Sequence, residues 1–256
     1  MEKTDMKIAS WNCGNKWNSN VNRYDNRKYD KMDLIRAIDA DVIFLSEVAK
    51  SDDISLWKGL KDVPWIKSGN DQRGVGFYCR NNWKVEWVKP FCDDVVFSLQ
   101  VNAVSPDGRK QKILAIWSYP GIKYDYLTII PALYHANKDF LDSETVIIGD
   151  FNICLSKENP TKNDCKRIEK EEQMMKTIFA GFHRSKRENM YSFIFKRKLP
   201  THSLQYEIKN KITMDHVFVP DGMDAQLLDN STYLSYAFKD DQISASDHLP
   251  IIAEIR

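Results

Sequence analysis

The chain has 256 residues, 43% hydrophobic and 12% aromatic, enough for one substantial core and short for two, so a single domain over residues 1–256 is expected. Thirty-seven Lys and Arg against 36 Asp and Glu leave a formal charge of +1, which excludes a whole-molecule field directed at nucleic acid or an anionic membrane. No stretch approaches the roughly 20 apolar residues of a membrane span.

In chain order the pattern predicts a strand over Lys7–Trp11, a helix over Tyr29–Ile38 and a strand over Asp41–Ser46. Strands follow at Gly74–Cys79, Lys84–Val88, Val95–Val104 and Gln111–Trp117. Ser105-Pro106-Asp107-Gly108 forms the turn between the last two, with proline presetting φ and glycine free to take positive φ. A helical region from Tyr124 to Asp139 is expected to be interrupted or kinked at Pro131. Then come a strand at Thr145–Gly149, a helix at Ile168–Ala180 and strands at Tyr191–Phe195, Met214–Val219 and Ile251–Ile255. Val42 to Leu45 and Val146 to Ile148 are continuously apolar, which suits central strands covered on both faces. Two packed sheets flanked by helices follow.

Cys13, Cys79, Cys92, Cys154 and Cys165 are odd in number and lack the paired spacing of a zinc site, which fits a reducing compartment. The N-terminal segment is charged where a secretory signal would be apolar. The expectation is a cytoplasmic monomer.

Three apolar runs end alike. Ile8 to Trp11 leads to Asn12, Val42 to Ser46 leads to Glu47, and Val146 to Gly149 leads to Asp150 and Asn152. Turn-forming residues also end strands for conformational reasons. Strand ends that share one crevice nevertheless present their side chains from rigid supports, which is where ligands sit in open sheets.

Lys7 to Asn12, Leu45-Ser46-Glu47, Gly149-Asp150-Phe151-Asn152, Met214-Asp215-His216-Val217-Phe218 and Ser246-Asp247-His248-Leu249-Pro250 resemble, in order, the motifs of the endonuclease/exonuclease/phosphatase superfamily. The resemblance spans nearly the whole chain. It implies an α/β fold, a four-layer α/β/β/α sandwich of two mixed sheets flanked by helices, and the hydrolysis of phosphate esters. The superfamily includes deoxyribonucleases, abasic-site endonucleases, sphingomyelinases, inositol polyphosphate phosphatases and deadenylases.

Such chemistry needs several groups, because one general acid or base typically supplies about 10²- to 10⁴-fold of accelerations that reach about 10¹⁷-fold. The resemblance implies Mg²⁺, with Mn²⁺ as a substitute, held by Glu47 with Asn12 and Asp247. It makes Asp150 the group that orients or deprotonates water and Asn152 a neutral donor. It pairs Asp215 with His248, whose imidazolium would meet a non-bridging oxygen.

The chain departs from the family pattern where nucleases usually carry His or Tyr before the Asp150 strand. Here Trp117, Ser118 or Tyr119 takes that place, and an indole N–H donates without transferring a proton at neutral pH. Ser46 stands where Gln often precedes the glutamate. His202, in Thr201-His202, is a further candidate for phosphate contact. Arg184 to Lys198 interleaves six basic residues with Tyr191, Phe193 and Phe195, a pattern suited either to a nucleic-acid backbone or to an exposed hairpin with aromatics facing the core. A nuclease or phosphodiesterase acting on DNA or RNA is the leading expectation. A phosphorylated small molecule or phospholipid headgroup is the alternative substrate.

Overall fold

The computed structural model describes residues 5–14, 17–18, 23–24, 28–49, 66–67, 73–88, 98–118, 126–188, 190–198, 206–237, 246 and 248–256. In chain order the first strands are β1 (Met6–Asn12), β2 (Trp17–Asn18), β3 (Arg23–Tyr24), β4 (Val42–Ala49), β5 (Ile66–Lys67) and β6 (Arg73–Cys79). They continue as β7 (Lys84–Trp87), β8 (Ser98–Val104), β9 (Lys110–Trp117), β10 (Thr145–Asp150), β11 (Ser156–Lys157) and β12 (Phe182–Arg184). The last are β13 (Phe193–Lys198), β14 (Tyr206–Thr213), β15 (Asp215–Pro220), β16 (Ala225–Leu227) and β17 (Ile251–Ile255). The helices are α1 (Lys28–Ala37), α2 (Tyr126–Asn137), α3 (Lys162–Ile178) and α4 (Leu234–Ala237).

One six-stranded sheet has the order β16-β17-β1-β4-β6-β5, the other β12-β15-β10-β9-β8-β7. Both are mixed: β1 runs parallel to β4 and antiparallel to β17, while β10 runs parallel to β9 and antiparallel to β15. Three apolar clusters define the layers. Ile8, Phe44, Phe77, Ile113, Ile148 and Val217 belong to the core between the sheets. Trp11, Ile43 and Leu45 pack outward against Leu34, Ile35 and Ile38 at α1. Leu114, Ile147 and Phe218 pack outward against Ile130 of α2 and Met175 of α3. Alternation along each strand therefore serves two cores at once, which is why the central runs are apolar throughout. The result is the expected α/β/β/α sandwich.

Two helices differ in detail from the sequence pattern. α3 starts six residues before Ile168, because Thr161 and Asp164 form a capping box: Asp164 N–H donates to Thr161 Oγ1 at 3.2 Å and Thr161 N–H to Asp164 Oδ2 at 2.9 Å. α2 runs continuously through Pro131. Burial of Ile129, Ile130 and Leu133 offsets the hydrogen bond that proline cannot donate. No described helix is long and apolar enough to cross a membrane.

Candidate active site

At one end of the inter-sheet core the inward-facing positions change from apolar to polar. In β1, Trp11 faces the α1 layer, so Asn12 faces the opposite sheet. In β10, Val146 and Ile148 face inward and Asp150 continues their face, while in β15 Asp215 shares its face with Val217 and Val219. Asp150 and Asp215 stand directly opposite each other in the antiparallel ladder.

Glu47 reaches this place by a different route. Ile43 and Leu45 face α1, so simple alternation would send Glu47 outward with them. β4 instead continues to Ala49, and its pairing with β6 shifts register between Leu45 and Val48. Glu47 occupies this irregularity with φ of +52°. Such bulges re-aim a side chain. Its Oε1 accepts from Asn12 Nδ2 at 3.2 Å.

Asn12 links the two sheets, since the same Nδ2 donates to Asp150 Oδ2 at 2.8 Å. Asp150 is fully buried. Its Oδ2 also accepts from Asn152 Nδ2 at 3.1 Å, and its Oδ1 accepts the Asn152 N–H at 2.9 Å. Burial, and then the facing Asp215 carboxylate, push Asp150 up to about 7, against the opposing influence of His248, Asn12 and Asn152. The strand ends at Asp150, and Asn152 adopts a left-handed φ of +52°. The convergence of Asp150 and Asn152 thus comes from a turn that asparagine tolerates rather than from extended alternation.

Asp215 is also fully buried, and its Oδ2 accepts from His248 Nδ1 at 3.0 Å. A carboxylate oxygen only accepts, so the bond places a proton on Nδ1. The histidine is anchored by its backbone: its N–H donates to Ser246 Oγ at 3.1 Å and its carbonyl accepts from Trp11 Nε1 at 3.0 Å. Ser246 Oγ in turn donates to the Asn12 carbonyl at 2.8 Å. Ser192 Oγ accepts the N–H groups of Met214 and Asp215, both at 3.0 Å. Ser192 carries no sequence signal, because its partners lie more than twenty residues away, whereas Ser246 sits inside a motif already singled out.

Of the remaining candidates, Trp117 pairs with Asp150 in the ladder, but its side chain is 1% exposed and belongs to the inter-sheet core. Ser118 is buried, donates its hydroxyl to the Phe151 carbonyl and offers its own carbonyl to Asn152 Nδ2 at 3.2 Å. Trp117 thus stands beside Asp150 on the same face, and Ser118 contacts the Asp150–Asn152 turn; both are as buried as Asp150 itself. Asp247, Tyr119 and His202 lie outside the described residues. Of the basic segment, Phe193–Lys198 form β13, paired antiparallel with β14.

Among the described residues no group of three or more His, Cys, Asp or Glu side chains is gathered as a metal cage. Mg²⁺ does not require one, because it is commonly bound through one or two carboxylates and keeps several waters. The Glu47 carboxylate is a hard donor that fits such an ion, and beside it Asn12 turns its Nδ2 toward Glu47 while its amide oxygen, also a hard donor, accepts the Gly14 N–H at 2.8 Å.

Among solved structures, truncated TDP2 from Caenorhabditis elegans matches with a TM-score of 0.60 and 13% identity over 98% of both chains. An endonuclease/exonuclease/phosphatase from Beutenbergia cavernae DSM 12333 gives 0.60 and 15%, covering 99% of this chain and 72% of that one. The endonuclease domain of TRAS1, a telomere-specific non-LTR retrotransposon, gives 0.57 and 11% over 98% of each. At these identities the likeness is one of fold. No curated protein matches the chain significantly in sequence. The model of the Endonuclease/Exonuclease/phosphatase family matches residues 9–248, from β1 through His248, and the chain belongs to that family.

Proposed function

We propose that the protein is a Mg²⁺-dependent phosphoesterase that hydrolyses phosphodiester bonds in DNA or RNA. The observation that carries this reading is Asp150: a buried carboxylate, held by three hydrogen bonds and pushed up to about 7, is suited to take a proton from water near neutral pH. Asn152 and Asn12 fix its orientation. His248, oriented by Asp215, carries positive charge to a non-bridging phosphoryl oxygen, where stabilisation of developing charge is worth most. Glu47 and Asn12, together with Asp247, would hold Mg²⁺, which when bound neutralises phosphoryl oxygens and stabilises the leaving alkoxide. Trp117, Ser118, Tyr119 and His202 are the proposed substrate contacts, with Ser118 also holding Asn152 through its carbonyl.

Two features favour nucleic acid as substrate. The basic run Arg184 to Lys198 ends in β13, which pairs antiparallel with β14, and D. rerio TDP2, a structural neighbour at 12% identity, is known in complex with a single-strand DNA product. The test is a panel of plasmid, single-stranded DNA, abasic duplex, RNA, a bis-aryl phosphate and inositol phosphates, each with Mg²⁺ and with chelator. Hydrolysis of a nucleic acid that stops on chelation is expected. Turnover of inositol phosphates alone would replace the nucleic-acid reading, and no hydrolysis of any substrate would overturn the enzymatic one.

A further inference from the structure

On the outer side of the second sheet, behind the face that carries the carboxylates, a cavity of about 290 Å³ lies between α3 and the edge strand β12. Its apolar wall is made by Leu155, Met175, Phe182 and Phe218. Small-molecule sites have this character: concave, mostly apolar, with a few polar groups that fix orientation.

The polar part of the lining is cationic. Lys176, Arg184 and Lys186 surround a single carboxylate, Glu172. Lys186 already pairs with Glu172 Oε1, and Arg184 reaches the same oxygen only at 3.5 Å. The other contact of Arg184, from Nη2 to the Leu155 carbonyl, is also 3.5 Å. Its Nε is buried with no acceptor, although the side chain is only 12% exposed. Burial accordingly holds the guanidinium below its ordinary pKa. His183, also in the lining, pairs with Asp221 at 3.5 Å and adds no acceptor. Three cations thus share one carboxylate beside an apolar wall, and one buried guanidinium donor goes unused. Buried polar groups are nearly always satisfied, and an under-paired buried charge is costly, so the arrangement calls for an additional anion.

We propose that this cavity binds a small amphipathic anion, its acid group received by Arg184 with Lys176 and Lys186 alongside, and its apolar body packed on Leu155, Met175, Phe182 and Phe218. The planar guanidinium fork suits a carboxylate or phosphate group. The site uses none of the side chains assigned to catalysis or metal binding, although Arg184 and Lys186 also begin the basic run that favours nucleic acid.

Calorimetric titration of the full chain with octanoate, octanol and inorganic phosphate tests it. Octanoate is expected to bind saturably, and the neutral alcohol and the bare anion roughly ten-fold or more weaker, because each lacks one half of the recognition. Arg184→Gln is expected to weaken octanoate by a similar factor. Glu172→Gln removes the competing carboxylate and is expected to tighten octanoate binding, a change that loosening of the fold would not produce. Absent octanoate binding, equal binding of octanol and octanoate, or unchanged or weaker binding in Glu172→Gln would overturn the proposal. If circular dichroism shows Arg184→Gln to be unfolded, the Glu172→Gln result decides.

Discussion

Asp215 and His216 are adjacent on β15 and face opposite sides of one sheet, and that difference sets their chemistry. Asp215 points into the inter-sheet end of the core, where His248 donates to it and Asp150 stands across the ladder. His216 points outward among Phe151 and Phe218, with ring centroids 5.6 and 6.2 Å away, and shares one hydrogen bond, from Nε2 to the Ile153 carbonyl at 2.9 Å. Burial, then the nearby Arg184, push His216 down to about 3, so it stays neutral. On one face titratable groups are gathered and paired; on the other a titratable group is treated as an aromatic core residue. A period of two residues separates a reactive site from a packing role.

The largest break in this comparison comes from the residue that faces His216 in the ladder, Gly149. At φ of +150°, a Cβ built there would lie 1.8 Å from the Ile116 carbonyl oxygen. Gly149→Ala is expected to destabilise by more than about 4 kcal/mol, or to abolish soluble expression, because the clash is with backbone. Gly108→Ala, where nothing lies within 4 Å, should cost only about 1 kcal/mol for its positive φ. Denaturant midpoints distinguish the two.

The two histidines should then respond in opposite ways. His248→Gln is expected to lower the hydrolytic rate by roughly 10²- to 10⁴-fold with the fold retained. His216→Phe should leave the rate little changed and alter the acid limb of stability. A folded pKa of about 3 against the ordinary 6.5 means that the unfolded chain binds more protons between these values. The wild type therefore keeps this contribution above pH 6.5 and loses it as pH falls towards 3, by at most about 1.4 kcal/mol per pH unit. The phenylalanine variant should show a shallower fall over that window. An equal slope in both proteins would mean that His216 is not held neutral by its surroundings.

The fold was legible where burial dictates composition. Continuous apolar runs marked β4 and β10 because each serves two cores, and the polar residue ending each run marked the site. What was not legible depends on geometry that residue type does not encode. Alternation places Glu47 on the wrong face, and only the register shift in β4 brings it to Asn12. Asn152 meets Asp150 through a left-handed turn. Ser192 supports Asp215 across a long sequence gap with no local pattern. Trp117 continues the inward face of Ile113 and Ala115 and pairs with Asp150, a placement set by the strand register rather than by residue type. β14 was not among the expected strands, although Tyr206, Ile208 and Ile212 alternate with Glu207, Lys209 and Lys211 at the period of a strand.

The most direct test concerns Asp150. In metal-free buffer its ionised form faces a second buried carboxylate, so a folded pKa raised to about 7 from 3.8 implies stability that is present at low pH and lost as pH rises through 7. Asp150→Asn removes that repulsion while keeping the shape of the side chain. Thermal unfolding at pH 8 and Mg²⁺-dependent hydrolysis should be measured on the same preparation. The account predicts a higher Tm together with a rate lowered by roughly 10²-fold or more. A variant that hydrolyses at the wild-type rate would contradict the role assigned to Asp150.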